Sequence, residues 1–216
     1  MELNIFGDFT EGPWKTDAEI LKASKIPYEW SPGKDELRHF AASGGRGFVE
    51  GAANVWNVLC SIVRHKPRRV NIFTHGADDG YIGLKGWVVK GNVTFDTRKE
   101  EYALTPELIS EAEEEGFSFS DLKTKNATVN NVRDALGEHA EMVLYACHSG
   151  SDQDYLNQIA RLLRIKVWGF SKEILYRPLP SRDGLKIVGW RYKVDGDSEE
   201  VAHFYKLQPD IVGRPF

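Results

Sequence analysis

A histidine and a cysteine each stand directly after a stretch of the sequence that is typical of a strand. His75 follows residues 69–74, and Cys147 follows residues 142–146. A thiolate is a strong nucleophile, and a nearby imidazole can accept the thiol proton and later donate it to a leaving group. If the fold brings the two residues together, they predict attack on a carbonyl carbon by Cys147, with His75 as general base and acid.

The two stretches are expected to be strands that carry these side chains at their carboxyl ends. Each is short and rich in branched or aromatic residues, which is typical of strands buried on both faces of a parallel sheet. Residues 154–163 have apolar residues at helical spacing, so a helix should follow Cys147. Open α/β sheets bind ligands at the carboxyl ends of their strands, and a helix amino terminus favours a thiolate.

Backbone groups beside the two side chains are candidates for stabilising the reaction. A carbonyl group under attack develops negative charge on its oxygen, which backbone N–H groups can stabilise. Gly76 and Cys147 are the candidate oxyanion donors, because glycine lets a substrate carbonyl approach the backbone closely. His148 competes with His75 as the base, although adjacent residues in an extended turn usually point apart.

Polar residues after Cys147 are interpreted mainly as helix caps. Ser149 and Ser151 are expected to cap the following helix rather than to react. Asp152 is a candidate substrate-binding residue and, like Asp154, a candidate cap.

A metal site has weaker support in the sequence. Asp78 and Asp79, with Gly80, could ligate calcium, but lone acidic pairs in loops usually form turns. A zinc site needs more Cys or His ligands than Cys147 and His148 provide. We expect no other cofactor.

Composition indicates an ordinary globular chain. The 216 residues are 41% hydrophobic and 28% charged, and the net charge of -4 lacks the basic excess expected of a nucleic-acid-binding protein. Two cysteines are too few for a disulfide scaffold, so a reducing compartment is expected. Neither a signal peptide nor a membrane span is recognisable, and we therefore expect a cytoplasmic location without membrane contact.

The element pattern predicts one α/β domain over residues 1–216. Alternating helices and strands favour a mainly parallel sheet with helices on both faces, and residues 77–125 read as a small β insertion. An Asp-Gly turn predicts a hairpin around residues 181–184. The last strand is expected at residues 201–207. Helices are predicted at residues 16–23, 48–65, 105–115 and 128–136.

The two motifs resemble those of the caspase-like cysteine peptidases, the group that includes caspases, metacaspases, clostripain, gingipains and separase. In that family a strand ending in His-Gly supplies the histidine, and the next parallel strand ends in the nucleophilic cysteine. Residues 72–76, Ile-Phe-Thr-His-Gly, are similar to the first motif. Residues 146–151, Ala-Cys-His-Ser-Gly-Ser, are similar to the metacaspase form of the second.

The resemblance implies a three-layer caspase-like fold and a cysteine endopeptidase that hydrolyses peptide bonds in a protein or peptide substrate. Some relatives need calcium, and short bacterial forms are switched on by a partner protein, so an activating partner is also implied. The alternative is a catalytically inactive pseudo-enzyme that keeps the fold as a protein interaction module.

One residue departs from the family pattern. Metacaspases usually carry an aspartate two positions before the cysteine, where it helps to select a basic substrate residue. Tyr145 stands at that position, so a preference for cleavage after Arg or Lys is not supported. Tyr145 is instead a candidate substrate-binding residue together with Asp152. Cys60 lies among apolar helix residues and is interpreted as structural, a role that a strand-end cysteine can also have.

Overall fold

The structure, a computed structural model, describes most of the chain. The described residues are 1–11, 46–77, 80–89, 92–95, 102–114, 127–183 and 187–216. The helix predicted at residues 16–23 lies outside these ranges, as do Asp78 and Asp79.

Strands form where branched and aromatic residues cluster, and helices form where apolar residues recur every three or four positions. None of the helices in the described ranges has the length and apolar character needed to cross a membrane. In chain order the elements are β1 (Glu2–Glu11), β2 (Phe48–Ala52), α1 (Val55–His65), β3 (Arg69–Phe73), β4 (His75–Gly76), β5 (Ile82–Gly83), β6 (Lys85–Val89), β7 (Asn92–Phe95), α2 (Pro106–Glu114), α3 (Val129–Leu136), β8 (Glu141–Tyr145), α4 (Gln153–Leu163), β9 (Lys166–Gly169), β10 (Ile174–Pro180), β11 (Ile187–Val194) and β12 (Ile211–Gly213).

One mainly parallel sheet organises the chain. Its strand order is β12-β9-β8-β3-β1-β6-β7, and β2 also pairs with β1. The pairs that join β2, β1, β3, β8 and β9 are parallel, whereas β12 runs antiparallel to β9. Parallel neighbours require a crossover connection, and the crossover from β8 to β9 contains α4. The predicted α/β class is therefore confirmed.

The two faces of the sheet are covered by different layers. On the helical face, Leu3, Ile72 and Leu144 pack with buried residues from each of the described helices. On the hairpin face, aromatic strand residues pack with β10, β11 and the 3₁₀ turn Phe204–Lys206. Helices were expected on both faces, but every helix in the described ranges contributes to the helical face.

The helix predicted over residues 48–65 is instead a strand followed by a shorter helix. Phe48–Ala52 pairs in parallel with β1. The helix begins after Asn54, whose side chain accepts the N–H of Asn57 at 2.9 Å. Pairing with a distant strand outweighs local helical spacing, and Gly51 already weakens a helix there.

Residues 77–125 were predicted to be a small β insertion, but their described part belongs to the main sheet and to its core. The β6–β7 hairpin extends the sheet beside the second half of β1. The predicted acidic helix is present as α2, and Leu108, Ile109 and Ala112 are buried in the helical-face core. The described part of this segment therefore shares the main core of the protein.

The carboxyl-terminal part of the chain agrees only partly with expectation. The antiparallel pairing of β10 with β11 confirms the hairpin predicted around residues 181–184. The strand predicted at residues 201–207 is wrong, because Val201 makes an isolated bridge to Tyr192 and a 3₁₀ turn follows. β12 comes later and was not predicted; at three residues it is too short to show a periodic pattern.

Replacing Asn54 with alanine should lower the free energy of unfolding by about 1 kcal/mol, because the helix loses its amino-terminal cap. Urea denaturation followed by circular dichroism measures the change. Gln158→Ala, on the exposed surface of α4, is a matched control that should change stability by less than about 0.5 kcal/mol. Equal stability of the two variants would contradict the capping role of Asn54.

Candidate active site

The carboxyl ends of β3 and β8 lie side by side. Their register pairs Phe73 with Tyr145, and the Thr74 N–H donates to the Tyr145 carbonyl at 3.1 Å. Beyond this pair one chain continues into His75 and the other into the turn after Ala146. The backbones of the two predicted strand ends are therefore neighbours.

Gly76 is where the two strand ends touch. A Cβ atom on Gly76 would overlap the carbonyl oxygen of Cys147 and would lie 3.3 Å from the Cβ of Ala146. Any larger residue would have to push the two backbones apart. The close contact with Cys147 therefore explains why the residue after His75 is a glycine.

The N–H group of Gly76 points to the side of β8. Amide groups alternate in direction along an extended strand. The Thr74 N–H is directed toward β8, whereas the Ala77 N–H donates to the Tyr81 carbonyl at 3.0 Å, across β4 and β5. Gly76 is two residues after Thr74 and one before Ala77, so its N–H faces the Cys147 turn, as an oxyanion donor would.

Side-chain alternation directs His75 and Cys147 to the same face of the sheet. Phe73 and Tyr145 lie on the hairpin face, where their rings stack with centroids 4.9 Å apart. His75 and Cys147 each follow two residues later, and an extended chain repeats its side-chain direction every two residues. Cys147 packs against the same aromatic cluster. His75 is 9% exposed and Cys147 is partly buried.

The backbone of Ile174 contacts the thiol of Cys147. The Ile174 N–H donates to Sγ at 3.3 Å, and the thiol donates to the Ile174 carbonyl at 3.4 Å. The His148 N–H donates to the Lys172 carbonyl at 3.1 Å and holds the same segment beside the turn. An N–H donor favours a thiolate, whereas a carbonyl acceptor favours the neutral thiol. The sequence did not predict these contacts, because they are made by backbone N–H and carbonyl groups that do not depend on the residue type.

Ser149 joins the Cys147 turn to the neighbouring strand end. Its fully buried hydroxyl donates to the Leu144 carbonyl at 2.8 Å and accepts the Phe170 N–H at 3.0 Å. The Gly150 N–H donates to the Phe170 carbonyl at 2.8 Å. The expectation that Ser149 caps the following helix is wrong, because its hydroxyl is used between β8 and the residue after β9.

Asp152 is the amino-terminal cap of α4. Its carboxylate accepts the N–H groups of Asp154 at 2.9 Å and Tyr155 at 3.0 Å. Ser151, the second predicted cap, lies outside this position; its own N–H donates to the His148 carbonyl at 2.9 Å. Asp152 is exposed at the end of the helix that follows the nucleophile. Its substrate-binding role stays a prediction.

His148 has a left-handed backbone conformation, with φ of 52°. This conformation turns the chain sharply directly after Cys147, so the side chain of His148 leaves the alternation of the strand. His148 is partly buried. Its role as a competing base stays a prediction.

Tyr145 is a core residue. The side chain is fully buried, and Arg69 Nη2 donates to its hydroxyl at 3.5 Å. Burial raises the pKa of Tyr145, and the hydrogen bond and charge of Arg69 act in the opposite direction. Arg69 begins β3, so the hydroxyl points toward the amino ends of the strands and away from Cys147. This position does not support a polar contact between Tyr145 and a substrate.

The predicted calcium site is only partly covered by the structure. Asp78 and Asp79 lie outside the described residues. Gly80 packs against the α4 cap, and a Cβ atom on it would lie 3.2 Å from the Cβ of Asp152. Among the residues that the structure describes, no group of three or more His, Cys, Asp or Glu side chains could hold a metal ion.

A separate groove of about 990 Å³ lies at the amino ends of β8 and β9. It is lined by Glu141 and Lys166, the first residues of β8 and β9, and by Arg133, Arg164 and Phe216. The groove is remote from the carboxyl strand ends. The candidate active site is the region of His75 and Cys147 rather than this groove.

Comparison of the chain with protein-family models, with curated proteins and with solved structures finds no match. The functional inference is therefore drawn from the geometry of the strand ends.

Replacing Ser149 with alanine should lower the free energy of unfolding by about 1–3 kcal/mol, because the buried Phe170 N–H loses its acceptor. Ser151→Ala is the matched control; this serine is exposed and stands two residues later in the same turn. Urea denaturation of both variants measures the difference. A control as destabilised as the Ser149 variant would contradict the bridging role.

Proposed function

We propose that the protein is a cysteine endopeptidase of the caspase-like type, with Cys147 as nucleophile and His75 as general base and acid. The observation that carries the proposal is the backbone contact of Gly76 with Cys147 at the ends of two paired parallel strands. This arrangement agrees with the family pattern, in which the His-Gly strand neighbours the strand that ends in the cysteine.

The proposed reaction begins when the Cys147 sulfur attacks the carbonyl carbon of a peptide bond. The carbonyl electron pair moves to the oxygen, which accepts hydrogen bonds from the N–H groups of Gly76 and Cys147. His75 carries the thiol proton to the leaving amine, and a thioester remains on the enzyme. His75 then takes a proton from water, which attacks the thioester and releases the acid and the thiol.

Two local features support a reactive sulfur; the amino-terminal amides of α4 are not one of them, because the Asp152 carboxylate accepts two of their N–H groups. The Ile174 N–H already donates to Sγ. His75 is largely shielded from solvent on the face toward which Cys147 is directed, which strengthens electrostatic interaction between an imidazolium and a thiolate. The mechanism needs no cofactor; calcium and an activating partner protein stay predictions.

Iodoacetamide at near-neutral pH should modify Cys147 in preference to Cys60, which is buried within α1. His75→Ala should slow the modification of Cys147 by about tenfold or more, because the thiolate loses its paired base. Peptide mapping by mass spectrometry measures both rates. His139→Ala, on the loop before β8, is the control histidine variant and should leave the rates unchanged.

Incubation with a protein or peptide library should give cleavage that Cys147→Ala abolishes and Cys60→Ala does not. Equal inertness of both thiols, together with no cleavage, would contradict the peptidase proposal. That result would favour the pseudo-enzyme, an interaction module that retains the fold without turnover.

A further inference from the structure

Closely packed aromatic rings line the hairpin face beside Cys147. The Phe73 ring lies 4.6 Å from that of Phe6 and 4.9 Å from that of Tyr145, measured between centroids. Phe170 packs against Tyr145 at 5.8 Å. The Tyr145 hydroxyl points toward the amino ends of the strands, so Tyr145 contributes only its ring to the hairpin face near Cys147. The surroundings of the nucleophile on this face are therefore apolar and aromatic.

Phe204 adds a further ring to this cluster from outside the sheet. Its centroid lies 5.1 Å from Phe73, 6.1 Å from Tyr145 and 4.0 Å from Tyr192. Phe73 and Tyr145 are the residues that stand two positions before His75 and Cys147. Phe204 thus packs, with its ring tilted, against the two side chains that stand two positions before the proposed base and nucleophile.

The segment that carries Phe204 is a single 3₁₀ turn. The turn is closed by the Leu207 N–H, which donates to the Phe204 carbonyl at 2.8 Å. Leu207 is buried, whereas Phe204 is partly exposed and Tyr205 is 45% exposed. Such a single turn, in which Tyr205 and Lys206 are exposed, costs less to move than rings on paired strands.

A substrate side chain next to the attacked carbonyl would have this cluster within reach. Residues two apart on a strand are about 7 Å apart, so Phe73 and Tyr145 lie one such step below the reacting side chains. An aromatic substrate side chain could pack against the two rings as the tilted Phe204 ring does. A lysine or arginine side chain would lose hydration there without gaining a carboxylate partner from Tyr145.

We propose that the position of Phe204 is a substrate subsite for a large apolar or aromatic side chain on the amino side of the scissile bond. Phe204 occupies this subsite in the resting chain and is displaced when substrate binds. The inference rests on the proposed function and adds a substrate class to it. Because Phe204 competes with substrate, its removal should raise the apparent affinity for aromatic substrates.

Peptidyl chloromethyl ketones that carry Phe, Arg or Asp beside the reactive group test the proposal. The Cys147 sulfur displaces chloride and forms a thioether, while the thiol proton passes to His75 or to water. Intact-mass spectrometry of the full chain gives the labelling rates. The Phe probe should react roughly tenfold faster than the Arg and Asp probes, the lower end of what an apolar pocket discriminates.

Phe204→Ala should raise the rate of the Phe probe by roughly threefold or more, since the probe no longer competes with the ring. Phe204→Leu should give a smaller increase and replaces the alanine variant if that variant unfolds in a thermal melt. Tyr205→Ala is the matched control, because its ring stacks on His203 rather than on the cluster. It should leave all three rates unchanged.

Two results separate the subsite from the peptidase proposal. Equal rates for the three probes, unaltered in the Phe204 variants, would overturn the subsite while selective iodoacetamide modification of Cys147 still stood. Failure of every probe together with loss of that selectivity would overturn both proposals.

Discussion

The close approach of two peptide backbones, at Gly76 and Cys147, is the constraint on which the candidate site depends. The ladder from Arg69↔Glu141 to Phe73↔Tyr145 leads directly into this contact. A slip of the ladder by one residue would send the His75 and Cys147 side chains to opposite faces of the sheet. The contacts that hold the register of β3 and β8 therefore also hold the geometry of the site.

The hairpin face holds that register from both of its ends. At the amino end, Arg69 of β3 pairs with Glu141 of β8 at 2.7 Å. On the other side of β3, the buried Asn71 amide donates to Asn4 at 2.9 Å and supports the register of β3 against β1. At the carboxyl end, stacked rings occupy the same strands. The helical face, in contrast, contributes mainly apolar burial, which specifies register less sharply.

The turn after Cys147 connects this residue, the proposed nucleophile, to the rest of the fold through backbone groups. Ser149 and Gly150 join it to Phe170, and the Ile174 backbone contacts the sulfur itself. Because Ile174 begins β10, the hairpin that covers the aromatic cluster also contacts the nucleophile. Any movement of that hairpin would change the surroundings of the sulfur and the packing of the rings together.

The sequence by itself determined several strands and helices and showed that His75 and Cys147 follow two of the strands. Residue composition and helical periodicity are local properties. Clusters of branched and aromatic residues identified β3 and β8, a period of three to four residues identified α2 to α4, and an Asp-Gly turn identified the β10–β11 hairpin. The positions of His75 and Cys147 were likewise predictable, because each residue follows one of the two predicted strands.

Only the tertiary structure decided which groups meet. Phe48–Ala52 became a strand because β1, far away in sequence, offers it a partner. Ser149 bridges two strand ends instead of capping a helix, and Ile174 and Phe204 reach the site region from later segments. These contacts depend on which backbones lie adjacent in space. The spacing of residue types within one segment does not show which distant segments will lie next to it. Every residue other than proline has the same backbone N–H group, so the sequence does not show which of these groups will be donors in the site.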